Sequence, residues 1–401
     1  MGELSSSERQ TVERAGAEPM LDQVLAWSAV NSGSRNLGGL ERMAELLADA
    51  FSALPGVLRL ENPAPVESVD SAGKAIAIRH GRHLHLSVRP TAPVQLLFTG
   101  HMDTVFGADH AFQETRWLED GVLNGPGVAD MKGGLAVMLA ALKSIEKSRV
   151  AERIGYEVVV NSDEEVGSPA SAPLLARAAA GKRAALTYEP AALPDGTLAG
   201  ARPGSGNFSI VIHGRSAHAG RNPEDGRNAL LAAADLALRL DRLKREGLTV
   251  NPSRIDGGGP TNVVPDLAIL RVNLRPRTPQ LEAEAKREIE TLVAAVAAER
   301  DVRIDLHGGF GRPPKPLTSD AEALFNLVKQ AGADLGQSIA WQPSGGVCDG
   351  NNIAACGVPV VDTMGVRGGK IHSMEGFLIV DSLAERAALS ALTILRLAEG
   401  A

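Results

Sequence analysis

The sequence predicts an α/β protein: a mostly parallel, helix-covered sheet domain interrupted by a smaller α+β unit. Three observations carry this. Short β-branched runs alternate with helix-length amphipathic segments through the first two hundred residues. A central stretch reads strand, helix, strand, strand, helix, strand, the order of a ferredoxin-like unit. After it, helices and one short strand resume the first pattern.

In chain order, residues 20–54 read as one or two amphipathic helices split near Asn31-Ser32-Gly33. Apolar strand-like runs follow at 75–78, 84–88 and 94–98, the last leading into Gly100-His101-Met102-Asp103. A Gly-rich loop precedes a helix at about 133–148, and strands at 156–161 and 186–188 each end at acidic residues. The texture changes at Arg202-Pro203-Gly204. From there strands are expected at 208–213, 248–255, 268–274 and 302–307, and helices at 228–245 and 279–300. The 312–316 stretch, Arg-Pro-Pro-Lys-Pro, reads as a return linker. The expected division is therefore 1–204 for the first part of a catalytic domain, 205–312 for the insert, and 313–401 for the second part.

With 401 residues, 44% hydrophobic and 22% charged, the chain has ordinary globular composition. A net charge of −7 gives no signal for nucleic acid, and no apolar run reaches the ~20 residues of a membrane helix. Two cysteines, Cys348 and Cys356, are too few for a disulfide framework, and no basic-then-apolar leader opens the sequence. These features lead us to expect a cytoplasmic protein. Cys348 reads as a buried structural thiol.

The chemistry gathers in His101, Asp103, Asp130, Glu164, Glu165, Glu189 and His372, each just past an expected strand or in a loop. Ligands of α/β sheets sit outside the carboxyl ends of strands. Imidazole and carboxylate suit zinc, with cobalt or manganese as alternatives. Asp103, two residues from His101, is placed to orient the imidazole. Asp130, in the Gly-rich Gly127–Gly134 run, is our choice for a carboxylate bridging two metals. Of the adjacent Glu164 and Glu165, one can bind metal while the other serves as general base. Taken singly, each motif is an ordinary acidic turn or surface histidine; their order along one chain is what argues for a site.

The stretches Gly100-His101-Met102-Asp103-Thr104-Val105-Phe106 and Asn124-Gly125-Pro126-Gly127-Val128-Ala129-Asp130-Met131-Lys132-Gly133-Gly134 resemble the aminoacylase/glutamate carboxypeptidase family of co-catalytic zinc peptidases. Asp163-Glu164-Glu165, Tyr188-Glu189-Pro190, Gly214-Arg215-Ser216-Ala217-His218-Ala219-Gly220 and His372-Ser373 continue the pattern in order. The wording is closest to bacterial glutamate carboxypeptidases. The resemblance implies two zinc ions per subunit, bridged by Asp130, with His101 and Glu189 on one and Glu165 and His372 on the other. It makes Glu164 the general base and Asp103 the support of His101. It further implies a homodimer through the inserted domain, with His218 reaching the partner's site to polarise the scissile carbonyl and stabilise the oxyanion.

A carboxypeptidase must hold a free carboxylate. Arg275, at a strand end, offers a guanidinium fork. Asn262 and the Gly345-Gly346 backbone are the other expected substrate contacts. The expected reaction is release of a C-terminal amino acid, glutamate first among candidates, from a peptidyl, folyl or acyl group. The expected partner is thus a small or short peptide substrate with a free carboxylate. The alternatives are an N-acyl-amino-acid deacylase and a metal-binding protein without catalysis.

Overall fold

The structure is a computed structural model that describes residues 4–400. Its centre is a six-stranded sheet in the order Val57–Glu61, His83–Val88, Ile154–Asn161, Val94–His101, Ala184–Thr187, Val360–Val361. The last four strands are mutually parallel, and only His83–Val88 runs against the rest. Side chains alternate across it as a pleat requires. Leu96, Phe98, Val158 and Val160 face the larger core formed with helices such as Gly133–Glu146 and Ser382–Glu399. Leu97, Val159 and Ala185 face a smaller one under helices Ala172–Ala179 and Asp349–Ala355. Near-continuous apolar strands follow from burial on both faces.

Residues Ser205–Arg312 build the second sheet, ordered Leu248–Gly257, Leu267–Pro276, Ser205–His213, Arg303–Arg312 and antiparallel throughout. Helices Ala229–Asp241 and Pro279–Arg300 cover one face, burying Phe208, Ile210, Leu270, Val272 and Leu274. Along Leu267–Pro276 the other face carries Ile269, Arg271, Asn273 and Arg275.

That open face is partly covered from the first half of the chain. The run at 75–78 pairs with Val66–Val69 as a two-stranded hairpin and does not join the central sheet. Val69 packs on Val211 and Ile269. Arg271 donates from Nη2 to the carbonyls of Val69 (2.8 Å) and Asp70 (3.2 Å), and from Nη1 to Ser209 Oγ (2.8 Å). A short alternating run is compatible with any sheet partner, so its sequence could not choose this one.

Other differences are local. A helix at Ser6–Gly16, capped by Ser5 and Glu8, precedes the expected first helices, which lie at Met20–Ser28 and Leu37–Phe51. The stretch read as a return linker is buried in part, at Arg312, Pro314 and Lys315: Arg312 ends a strand, and Lys315 pairs through its backbone with Arg202. Its prolines signal irregular backbone, but its cations neutralise buried carboxylates, a tertiary role that local sequence does not display. No helix among the described residues is long and apolar enough to cross a membrane.

Candidate metal centre

Three parallel strands deliver the site. Val94–His101 ends on His101; Ile154–Asn161 runs into Asp163, Glu164 and Glu165; Ala184–Thr187 is followed by Tyr188 and Glu189. Helix Gly133–Glu146 lies so close behind that a Cβ at Gly134 would collide with the Tyr188 carbonyl. Glycine there lets the turn carrying Asp130 sit beside the strand ends.

Asp130 stands in the middle. Its Oδ1 is 3.1 Å from His101 Nε2, and its Oδ2 is 3.2 Å from His372 Nε2. Glu189 Oε2 lies 3.7 Å from the same His101 nitrogen, and Glu165 Oε2 3.1 Å from the same His372 nitrogen. Ligands about 2.0–2.1 Å from a tetrahedral zinc ion stand roughly 3.3 Å apart. These spacings fit such a shell. Ligand atoms also converge in two overlapping triads, His101–Asp130–Glu165 and His101–Glu164–Glu189.

Asp103 sits behind this group, fully buried. His101 Nδ1 is 3.4 Å from its Oδ1 and 3.0 Å from its backbone oxygen, which leaves Nε2 facing the cluster. The same carboxylate accepts from Glu164 N (3.1 Å), Glu165 N (3.2 Å) and Ser34 Oγ (2.7 Å). One side chain thus orients the imidazole and the acidic pair together. Glu164 is buried and accepts from Arg312 Nη2 at 2.6 Å; Arg312 Nη1 donates to Asp349 at 3.0 Å.

Five carboxyl groups share this volume with one guanidinium and two imidazoles, and their proton affinities reflect it. Burial pushes Glu164 well above the usual carboxylate range, against the pull of Arg312 and with help from Glu189. Burial and the Asp130 charge push Glu165 up to about 7. Burial also raises Glu189, with His101 opposing. Burial works against a charged His101, yet Glu189, Asp103 and Asp130 hold it well above its ordinary value. Hydrogen bonds to Asp130 and Glu165 lift His372 to about 10. Asp130 alone goes far down, because His101 and His372 outweigh its burial. A site this short of positive charge, with O and N donors at ligand spacing, fits divalent cations.

The substrate residues fall in two groups. Arg275 lines the roughly 1190 Å³ cleft between the metal cluster and the open insert face, donating to Gly345 O and Asn273 Oδ1 at 3.1 Å each. Gly346 also lines it; its carbonyl accepts from Arg202 and its N–H donates to Ser344 Oγ (3.3 Å). His218 and Asn262 are not brought there. They share an exposed loop pair on the insert, joined by Ala219 N to Asn262 O (3.0 Å), and neither is among the residues lining the cleft of their own chain. Cys348 is buried beside Asp362, its Sγ 3.4 Å from Oδ2, and burial pushes the thiol well above its ordinary pKa.

Sequence reasoning passed over Ser34, Arg35, His80, Arg202, Arg312 and Asp349. Single polar residues in loops carry no period. The one available signal was Arg312, a lone arginine where the insert ends.

An α/β sheet presenting imidazoles and carboxylates at its strand ends, under an α+β insert, defines a metal-dependent hydrolase. The model of peptidase family M20/M25/M40 matches residues 97–396, and the chain belongs to that family. Carboxypeptidase G2 of Pseudomonas sp. (strain RS-16) is 31% identical over 314 residues, 76% of this chain and 74% of that one. A succinyl-diaminopimelate desuccinylase of Maricaulis maris is 30% identical over 312 residues, 72% and 77% of the two chains. Among solved structures, aminopeptidase PepT from Bacillus cereus superposes with a TM-score of 0.70 at 23% identity, covering 96% of this chain and 99% of that one. An M20 family metallo-carboxypeptidase from Sulfolobus solfataricus gives 0.71 at 15% identity, covering 95% and 100%. At these identities the structures speak for the fold. The family match makes the chain a peptidase or deacylase.

Proposed function

We propose that the chain is a two-metal amidohydrolase releasing an amino acid with a free α-carboxylate, glutamate the first candidate, from a peptidyl, folyl or acyl group. The observation that carries this is Asp130, whose two oxygens each face a different imidazole, each imidazole with its own glutamate. In this reading two cations would be held with Asp130 shared between them, His101 and Glu189 serving one and Glu165 and His372 the other. Zinc is the first choice by donor set, with cobalt or manganese next. When bound, such a pair supplies Lewis-acid polarisation and a water of lowered pKa.

The chain's own groups do the rest. Glu164 takes a proton from the attacking water and returns it to the leaving amine. Arg312 holds the Glu164 carboxylate in place through Oε1. Asp103 fixes His101 and the Glu164–Glu165 turn. Arg275, with the Gly345-Gly346 loop, receives the substrate's α-carboxylate.

His218 and Asn262 enter from a second copy. Both are exposed, and neither lines its own cleft. The insert also presents Leu231 (56% exposed) and Leu238 (63%), seven residues apart on helix Ala229–Asp241, beside the edge strand Leu248–Gly257. An apolar helix face next to an open edge is suited to a symmetric homodimer.

The desuccinylase relatives favour one alternative, N-acyl-amino-acid deacylation at the same site. Zinc-loaded protein assayed against folyl- and peptidyl-glutamates, N-acetyl amino acids and N-succinyl amino acids separates the two. We expect turnover of C-terminal glutamate substrates. Turnover confined to N-acyl amino acids establishes the alternative, and no turnover in any zinc, cobalt or manganese form refutes both.

A further inference from the structure

Three arginines line the cleft, and they differ in what neutralises them. Arg312 is taken up by Glu164 and Asp349. Arg275 donates only to neutral oxygens, Asn273 Oδ1 and Gly345 O. Arg35 lies exposed on the catalytic wall and makes no hydrogen bond or ion pair with any described residue. Its backbone is nevertheless well held. Ser34 Oγ donates to Asp103 Oδ2, Ser34 N donates to Thr104 O (3.1 Å), and Asn36 Oδ1 caps helix Leu37–Phe51 through Gly39 N (3.1 Å). A free guanidinium is thus anchored one residue from a partner of Asp103.

His80 also lines the cleft, near enough to Arg35 for the guanidinium charge to act on its imidazole. Its imidazole is 1% exposed, yet neither ring nitrogen has a hydrogen-bond partner among the described residues; the carboxylate of Asp163 is 4.0 Å away. Native structures seldom leave buried polar atoms unpaired, and each such atom calls for an explanation. Burial, reinforced by Arg35 and only partly offset by Asp163, holds His80 below its ordinary pKa. A neutral ring offers one N–H donor and one acceptor. An N–H donor next to a guanidinium fork is a pairing made for a carboxylate. The lining is otherwise short of acid: outside the metal cluster it contains Glu67, and the facing insert wall presents Asn207, Ser209, Asn251 and Ser253.

We infer that Arg35 and His80 form a second carboxylate subsite, which receives an acyl group ending in a carboxylate, so that the substrate is anionic on both sides of the scissile amide. The inference rests on the amidohydrolase reading, in which Arg275 on the opposite wall takes the carboxylate of the leaving amino acid. Arg35 and His80 are specificity-determining residues; neither takes part in bond breaking.

The test compares two substrates of equal chain length, N-glutaryl-glutamate and N-pentanoyl-glutamate, with zinc-loaded protein. Wild type should prefer the glutaryl compound at least tenfold in kcat/KM. In Arg35→Gln that ratio should fall to near one, with Arg35→Lys between the two and zinc content unchanged. The ratio in His80→Leu should also fall, and His80→Gln, which keeps a donor, should retain more of it. A wild-type ratio near one, or a ratio that survives Arg35→Gln, overturns the subsite. If neither compound is turned over, the hydrolytic reading has failed for these substrates. The subsite is then decided by calorimetry on zinc-loaded Glu164→Gln, which needs no turnover. There the glutaryl compound should bind at least tenfold more tightly, and the advantage should vanish in Glu164→Gln/Arg35→Gln; equal binding overturns it.

Discussion

The two walls of the cleft hold their functional side chains by different means. On the catalytic wall, His101, Asp103, Glu164 and Glu189 are buried at the ends of parallel strands, and each is hydrogen-bonded to or charge-paired with another member of the group. On the insert wall, Arg275 rests on two neutral oxygens, while His218 and Asn262 stand in solvent. The first wall is preorganised by its own sheet. The second depends on how the insert is carried: by the hairpin pinned through Arg271 and, in the proposed dimer, by a second copy. The catalytic wall therefore suits chemistry that tolerates little positional error, and the insert wall suits recognition.

The largest expected effect falls on the catalytic wall. Glu164→Gln should lower kcat by roughly 10³-fold, within the range for a general acid–base group, with two metals per chain retained by elemental analysis. Near-wild-type turnover would remove Glu164 from the mechanism. The next effect tests whether the insert wall serves its own chain. His218→Ala should cost about 10²-fold, as loss of an oxyanion donor does. Mixing and re-equilibrating it with Glu164→Gln should restore about a quarter of wild-type activity, since heterodimers regain one complete site of two. No recovery would place His218 in cis or outside the reaction.

A smaller effect reads the hairpin. Arg271→Met removes charged hydrogen bonds to two carbonyls, each worth about 1.5–3 kcal/mol at most, at the strand that carries Arg275. KM for carboxylate substrates should rise roughly tenfold, with kcat and metal content little changed and Arg271→Lys partly restoring binding. Equal losses in kcat would show that the contact supports the fold as a whole.

The smallest effect is a proton count. With no cation present, His372 titrates near 10 and Glu165 near 7, so at pH 7 His372 carries its proton and Glu165 about half of one. Metal ligands must be deprotonated. Zinc binding at pH 7 should therefore expel more than one proton per chain, and apparent affinity should weaken as pH falls from 8 to 6. Calorimetry in buffers of different ionisation enthalpy measures this; zero release would show that neither His372 nor Glu165 yields a proton to the metal at this pH.

The same contrast governs what was readable beforehand. His101, Glu165 and Glu189 stand out because ligand-type residues follow strand-like runs, and strand ends are where an α/β sheet gathers function; Asp130 and His372 stand out only as ligand-type residues in Gly-rich loops. The run at 75–78 was legible as a strand, which it is, but four alternating residues specify a strand without specifying its sheet. Arg312, Arg35 and His80 stayed hidden because a single residue in a loop or at a strand end has no period to detect.

By itself, then, the sequence determined the alternation of strands and helices, the insert between two parts of one sheet domain, and the residue types at the strand ends. These are local matters, set by side-chain periodicity and backbone preference over a few neighbours. Only the tertiary structure decided that Asp130 turns one oxygen to His101 and the other to His372, that Arg312 lies on Glu164, and that His218 is exposed and does not line its own cleft. Those depend on where segments from 29 to well over a hundred residues apart meet, and no short-range pattern encodes that meeting.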